Sequence, residues 1–94
     1  MAGTGQPASV RFAESVTLRV GPERGFLFDQ RTGRVYSLNG AAALASARLQ
    51  AGVPAGDVVA AVVATFDVNA ETAGADLARL IAQLIEEGLA KANG

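Results

Sequence analysis

FLFDQRTGRVYSLNGAAAL, Phe26 to Leu44, decides the fold, because the side-chain period changes inside it. Phe26-Leu27-Phe28 is an apolar run too short for a helix and aromatic enough for a strand. Asp29 to Gly33, DQRTG, reads as a turn: Asp bonds the backbone ahead of it, and Gly takes positive φ freely. Arg34 to Leu38, RVYSL, resumes the alternation, with Tyr36 and Leu38 on one face and Val35 and Ser37 on the other. Asn39 then stands where an N-cap belongs, directly before a run of alanines. A hairpin passes into a helix within one residue.

On the N-terminal side, GPERG (Gly21 to Gly25) is a further turn, preceded by VRFAESVTLRV, Val10 to Val20. In that segment Val16, Leu18 and Val20 alternate with Thr17 and Arg19, the pattern of a half-buried strand. Residues 1–9, MAGTGQPAS, are small and polar and are expected to be a disordered lead-in. On the C-terminal side the first helix is expected over Gly40 to Gln50, ending at Gly52. Pro54 turns the chain, and Asp57 is placed to cap or favour a second helix start. Val58, Val59, Val62, Val63 and Phe66 form its apolar face. Asn69 caps a third helix whose stripe is Ala73, Leu77, Leu80, Ile81, Leu84 and Ile85, with Gly88 as the residue after its end. The order is βββααα.

Ninety-four residues make one domain, expected over residues 10–90. Half of the chain is apolar, but 20 of those residues are Ala, which favours helix and buries little area. Eight basic side chains meet nine acidic ones, so the basic excess of a phosphate-gripping protein is missing. The chain has no Cys, His or Trp. Disulfides, thiolate nucleophiles, imidazole bases and the usual zinc sites are thereby excluded, and no cofactor or metal is expected. No run reaches the roughly 18 apolar residues of a membrane span, and the N-terminus lacks the regions of a secretory signal. The cytoplasm is the default location. A start Met and a polar tail lead to the expectation of a free-standing protein, with a piece cut from a longer enzyme as the open alternative.

From Phe26 to Leu89 the chain resembles the PqqD family of peptide-binding modules, also called RiPP precursor recognition elements. The pieces that match are FLFDQRTGRVYSLN (Phe26 to Asn39), the helix opening GAAAL, FDVNAE (Phe66 to Glu71) and ADLARLIAQLIEEGL (Ala75 to Leu89). The family pattern appears as Asp29 and Gly33, Val35 to Asn39, Asp76-Leu77, and Leu84 to Leu89. Many relatives carry a bulky pair where this chain has Ala45 and Ser46, and an Asp-Gly where it has Gln50-Ala51-Gly52. Those departures weaken the case for a member dedicated to pyrroloquinoline quinone synthesis and leave the wider family reading in place. The fold implied is α+β and winged-helix-like: an N-terminal three-stranded antiparallel sheet followed by a three-helix bundle.

The resemblance implies a non-catalytic adaptor that captures a precursor's leader peptide in the groove between third strand and third helix. The peptide adds as a strand, and the adaptor presents it to a modifying enzyme such as a radical SAM protein, an ATP-dependent cyclase or a protease. On this sequence the implied peptide-binding residues are Arg34, Val35, Tyr36, Ser37 and Leu38 on the strand. On the helix they are Asp76, Leu77, Leu80, Gln83 and Leu84. An edge strand carries a row of unpartnered backbone groups, which an extended peptide satisfies; a second copy satisfies them equally, so a homodimer is an open alternative. The competing function is a winged-helix DNA-binding regulator. Against it, the third helix carries one basic residue, Arg79, beside Glu71, Asp76, Glu86 and Glu87. Glu86 and Glu87 read as a solvated face. No carboxylate pair has the supporting constellation of an enzyme.

Overall fold

The computed structural model describes residues 9–93. The expected disordered lead-in, apart from Ser9, lies outside the described residues. The elements are β1 (Val10–Phe12), β2 (Val16–Val20), β3 (Arg24–Asp29), β4 (Arg34–Asn39), α1 (Gly40–Gln50), α2 (Ala55–Thr65), α3 (Ala70–Glu86) and β5 (Ala90–Ala92). Strands β2, β3 and β4 form an antiparallel sheet in that order, and the three helices follow it. The α+β arrangement is the one the sequence predicts, with one addition. The segment from Val10 to Val20 is not one strand. It breaks at Ala13 to Ser15, and β1 leaves the sheet to pair antiparallel with β5, Val10 opposite Ala92 and Phe12 opposite Ala90. What the sequence offers as a polar tail therefore returns to the body: Leu89 and Ala90 are both buried.

Strand β3 alternates strictly. Gly25, Leu27 and Asp29 face the interior, while Arg24, Phe26 and Phe28 are exposed. Its hydrogen-bond directions are fixed at both ends. The Gly21 N–H donates to the Arg24 carbonyl at 2.8 Å, and the Gln30 N–H donates to the Ser15 carbonyl at 2.9 Å. The even-numbered residues of β3 thus turn their backbone groups to β2, and the odd-numbered ones to β4. Registry with β4 pairs Gly25 with Leu38, Leu27 with Tyr36 and Asp29 with Arg34. It follows that Arg34, Tyr36 and Leu38 bond to β3. Val35 and Ser37 direct their N–H and C=O groups to the open edge of the sheet.

Helix ends obey local chemistry. Asn39 and Asn69 each accept a bond at 2.8 Å, from the Ala42 and Thr72 N–H groups, at the starts of α1 and α3. Helix α2 begins two residues before Asp57, at Ala55, with Pro54 as its N-cap and no side-chain cap bond. Asp57 sits in its first turn, where the helix dipole favours a carboxylate. At the end of α3, Gly88 takes φ +76°. The Leu89 N–H then reaches the Leu84 carbonyl at 2.8 Å and the Gly88 N–H reaches that of Ile85 at 3.1 Å, a Schellman closure. This turn sends the chain into β5.

The core lies between the sheet and the helices and is built from Leu27, Leu49, Val58, Leu77, Ile81, Leu84 and Leu89. Helix α1 crosses β3 at Gly25, where an added Cβ would stand 2.9 Å from the Ala43 Cβ and 2.8 Å from the Arg19 carbonyl oxygen. Small side chains on both elements bring the helix onto the sheet. Asp29 is fully buried beneath the β3–β4 turn. The Ser15 hydroxyl and the Arg31 N–H donate to one carboxylate oxygen at 3.1 and 3.0 Å, and the Arg31 guanidinium lies 3.4 Å from the other.

Burial pushes the Asp29 carboxyl up, but the Arg31 N–H, the Ser15 hydroxyl and the Arg31 charge together outweigh it and hold the pKa below the ordinary 3.8. A depressed folded-state pKa contributes stability at pH above the unfolded value, and that contribution drains away as pH falls through the folded one. The melting temperature of the wild type is therefore expected to fall on acidification below about pH 4. The Asp29→Asn variant should be less stable at neutral pH and lose less of its melting temperature over that acid range.

Candidate functional site

Among the described residues, strand β4 has β3 on one side and no strand on the other. Its two immediate supports are β3 and α1, whereas α3 packs on α2 and β5 and scarcely touches β4. A groove is left between β4 and α3, and its two ends differ in chemistry. At the Leu38 end it widens into a cavity of about 540 Å³. Leu38, Leu77 and Leu80 line that cavity together with Val62, Phe66 and Val68, while Ala41, Ala42, Ala45 and Ala73 contribute only methyl groups. Alanine makes α1 a good helix and at the same time leaves the space unfilled. Asp76, Arg79 and Gln83 stand on the rim, with Asp76 and Arg79 ion-paired to each other across one turn of α3.

At the Arg34 end a polar clasp spans the groove. The Tyr36 hydroxyl donates to Glu87 Oε1 at 3.3 Å, and the Arg34 guanidinium lies 3.7 Å from the same oxygen. Glu87 is the C-cap of α3. Among the described residues these are the only polar side-chain links between β4 and α3.

Most of the residues singled out in the sequence meet here. Leu38, Asp76, Leu77, Leu80 and Gln83 border one cavity, and Arg34 and Tyr36 reach the opposite end. Val35 and Ser37 are exposed on the outer face of the sheet, where Val35 is 61% accessible, and their contribution to the groove is backbone. Leu84 departs from its expected place. It is 2% exposed, packed in the core, and absent from the cavity wall, because it lies two turns beyond Leu77, at the end of α3 that meets β5. Ile85, expected in the buried stripe, is 38% exposed.

Sequence reading missed Glu87, taken for a solvated face, and also the share of α2 in the cavity through Val62 and Phe66. The apolar spacing of α2 contained both of those residues, but nothing in that spacing tells a cavity wall from ordinary core. Missed as well was the outer face of the sheet. There Phe26 and Phe28 are 39% and 38% exposed, next to Val35 on the neighbouring strand. Among the described residues no three acidic side chains gather into a set able to hold a metal, and no helix is long and apolar enough to cross a membrane.

A groove between an open strand edge and a helix, on this order of elements, defines a class of domain, and the family model fits it. The model described as coenzyme PQQ synthesis protein D (PqqD) matches residues 24–90, and the chain belongs to that family. Two solved structures are similar over nearly their whole length. One is described as lasso peptide synthetase B1 complexed with the leader peptide: it is 30% identical, with a TM-score of 0.76 over 88% of this chain and 98% of that one. The other is TbiB1 in complex with the TbiA(beta) leader peptide: it is 19% identical, with a TM-score of 0.77 over 89% of this chain and 98% of that one, a likeness of fold. No curated protein matches the sequence.

The division between core and groove on α3 is measurable. Leu84→Ala should cost about 2–5 kcal/mol in urea unfolding, as buried leucines do. Leu80→Ser, at a half-buried cavity wall, should cost less than about half as much.

Proposed function

We propose that this protein is a non-catalytic recognition element that binds the leader segment of a ribosomally made precursor peptide and presents it to a modifying enzyme in the cytoplasm. The observation that carries the reading is the pairing of an unoccupied strand edge at Val35 and Ser37 with an apolar cavity alongside it, in a chain of the PqqD family. The lasso peptide synthetase B1 structure, similar over almost all of its length, is itself described with a leader peptide bound.

The ladder dictates how such a peptide is read. Hydrogen bonds go to Val35 and Ser37. Residues opposite Leu38, Tyr36 and Arg34 point into the groove, while the residues between them lie on the outer face beside Val35 and Ser37. An apolar side chain opposite Leu38 enters the cavity between Leu77 and Leu80, and Asp76, Leu77, Leu80 and Gln83 form the helical wall. Main-chain bonds provide general affinity and the cavity provides selectivity. Leu84 supports that wall from behind and makes no contact with peptide.

The outer face supports the enzyme's part in this reading. Phe26, Phe28 and Val35 form an exposed apolar strip bordered by Arg19 and Arg24. A bound peptide would continue that strip with its own outward side chains, so one enzyme surface would reach adaptor and peptide together. DNA fits poorly: Arg79, the one base of α3, is held by Asp76, and the helix is otherwise acidic.

Val35→Pro and Ser37→Pro each delete an edge N–H without touching the β3–β4 ladder. With the leader peptide encoded beside the gene as probe, each should lower affinity by about tenfold or more while the circular dichroism spectrum is retained. Phe28→Asp should keep peptide affinity and slow modification by the partner enzyme. Undiminished affinity in both proline variants would defeat strand addition, and binding of a DNA duplex in place of peptide would promote the regulator.

A further inference from the structure

We infer that Glu87 is a specificity residue of the peptide groove, selecting a basic peptide side chain at the position opposite Arg34. This inference rests on the strand-addition reading and assigns chemistry to the end of the groove away from the cavity.

The clasp is not needed by either wall. Strand β4 is held by its ladder with β3, and the end of α3 is held by Leu84, Leu89 and the Schellman turn at Gly88. Both of its links are long, 3.3 and 3.7 Å, and both fall on one carboxylate oxygen. Such bonds open at little cost. An incoming strand brings an inward-facing residue opposite Arg34, with the two Cβ atoms about 4.5–5.5 Å apart on the same face. That side chain takes the space between Arg34 and α3, so the link from Arg34 to Glu87 has to give way to it.

What replaces the link is decided by the two ions' surroundings. The Arg34 side chain is 69% accessible and that of Glu87 is 32%. A released Arg34 is taken up by water. A released Glu87 is half-sheltered, at the negative end of a 17-residue helix with no basic residue in its last turn and with Glu86 next to it, while the Arg31 guanidinium beside Gly88 is engaged with Asp29. A peptide Lys or Arg takes over the vacated place on Glu87. A peptide Asp or Glu would pair with Arg34 but leave Glu87 unpaired beside a second carboxylate. An apolar residue would leave both ions without a charged partner. The Tyr36 hydroxyl keeps its bond to Glu87 and holds the carboxylate at the groove.

The test uses the leader peptide encoded beside the gene, made as a set carrying Lys, Glu or Leu at each alternate position, with fluorescence anisotropy as the readout. In the wild type one position should favour Lys over Glu by about fivefold or more at low salt, with the margin shrinking as salt rises. In Arg34→Glu/Glu87→Arg the preference should invert at that same position. In Glu87→Gln it should vanish, with the apolar requirement at the cavity position unchanged. A leader that is lost in Val35→Pro yet shows no charge preference at any position overturns the inference and leaves strand addition standing. So does a Lys preference that survives Glu87→Gln. A leader indifferent to both Val35→Pro and Ser37→Pro overturns both.

Discussion

The alternation of β3 is the constraint on which the site depends. Leu27 has to face inward to fill the core, Gly25 because α1 crosses there, and Asp29 because its carboxylate is satisfied only beneath the turn by Ser15 and Arg31. In an antiparallel sheet the face of a side chain and the direction of its backbone bonds are tied together. The alternation that buries those three residues therefore commits their N–H and C=O groups to β4. By the same rule it leaves the groups of Val35 and Ser37 pointing away from the sheet. A slip of one residue would bury Phe26 and Phe28, expose Leu27 and strand Asp29 away from its donors. Core packing and the open edge are consequences of one register.

The groove that borders this edge is a product of small residues. Helix α1 presents Ala41, Ala42 and Ala45 toward α3, and α3 presents Ala73 in return, so the two helices enclose space that larger side chains would fill. A different alanine of the same helix, Ala43, lets α1 come down on Gly25. Composition thus sets the stability of the fold against the depth of its cavity. A chain richer in leucine at these positions would have a fuller core and a shallower groove. At the other end the groove closes with charge rather than with packing, through Glu87, and its two ends pose different questions to an incoming peptide.

Much of the fold was legible because it is encoded locally. The Asp29–Gly33 turn, the alternation of RVYSL, the caps Asn39 and Asn69 and the stop at Gly88 are each written within a few residues. The family pattern, spread over more than half of the chain, pointed to the strand and helix that form the groove. What stayed hidden is non-local. The pairing of β1 with β5 joins two three-residue strands from opposite ends of the chain, and neither carries a periodic signal. Glu87 faces β4 only because the Schellman turn fixes where α3 ends, and beside Glu86 it looks like any solvated acid. Leu84 shares the apolar stripe with Leu77 and Leu80, yet a stripe broad enough to touch both core and groove does not reveal which residue meets which. Edge polarity required the register, which two backbone bonds supply, from Gly21 to Arg24 and from Gln30 to Ser15.

The central claim is that Val35 and Ser37 offer the backbone groups that a leader peptide takes up. Amide hydrogen exchange followed by NMR tests it most directly. In the free protein the Val35 and Ser37 amides should exchange fast, and those of Tyr36 and Leu38, bonded to β3, should exchange slowly. Saturation with the leader peptide should slow Val35 and Ser37 by at least about tenfold and leave Tyr36 and Leu38 as they were. A peptide that binds without protecting Val35 and Ser37 would contradict the account.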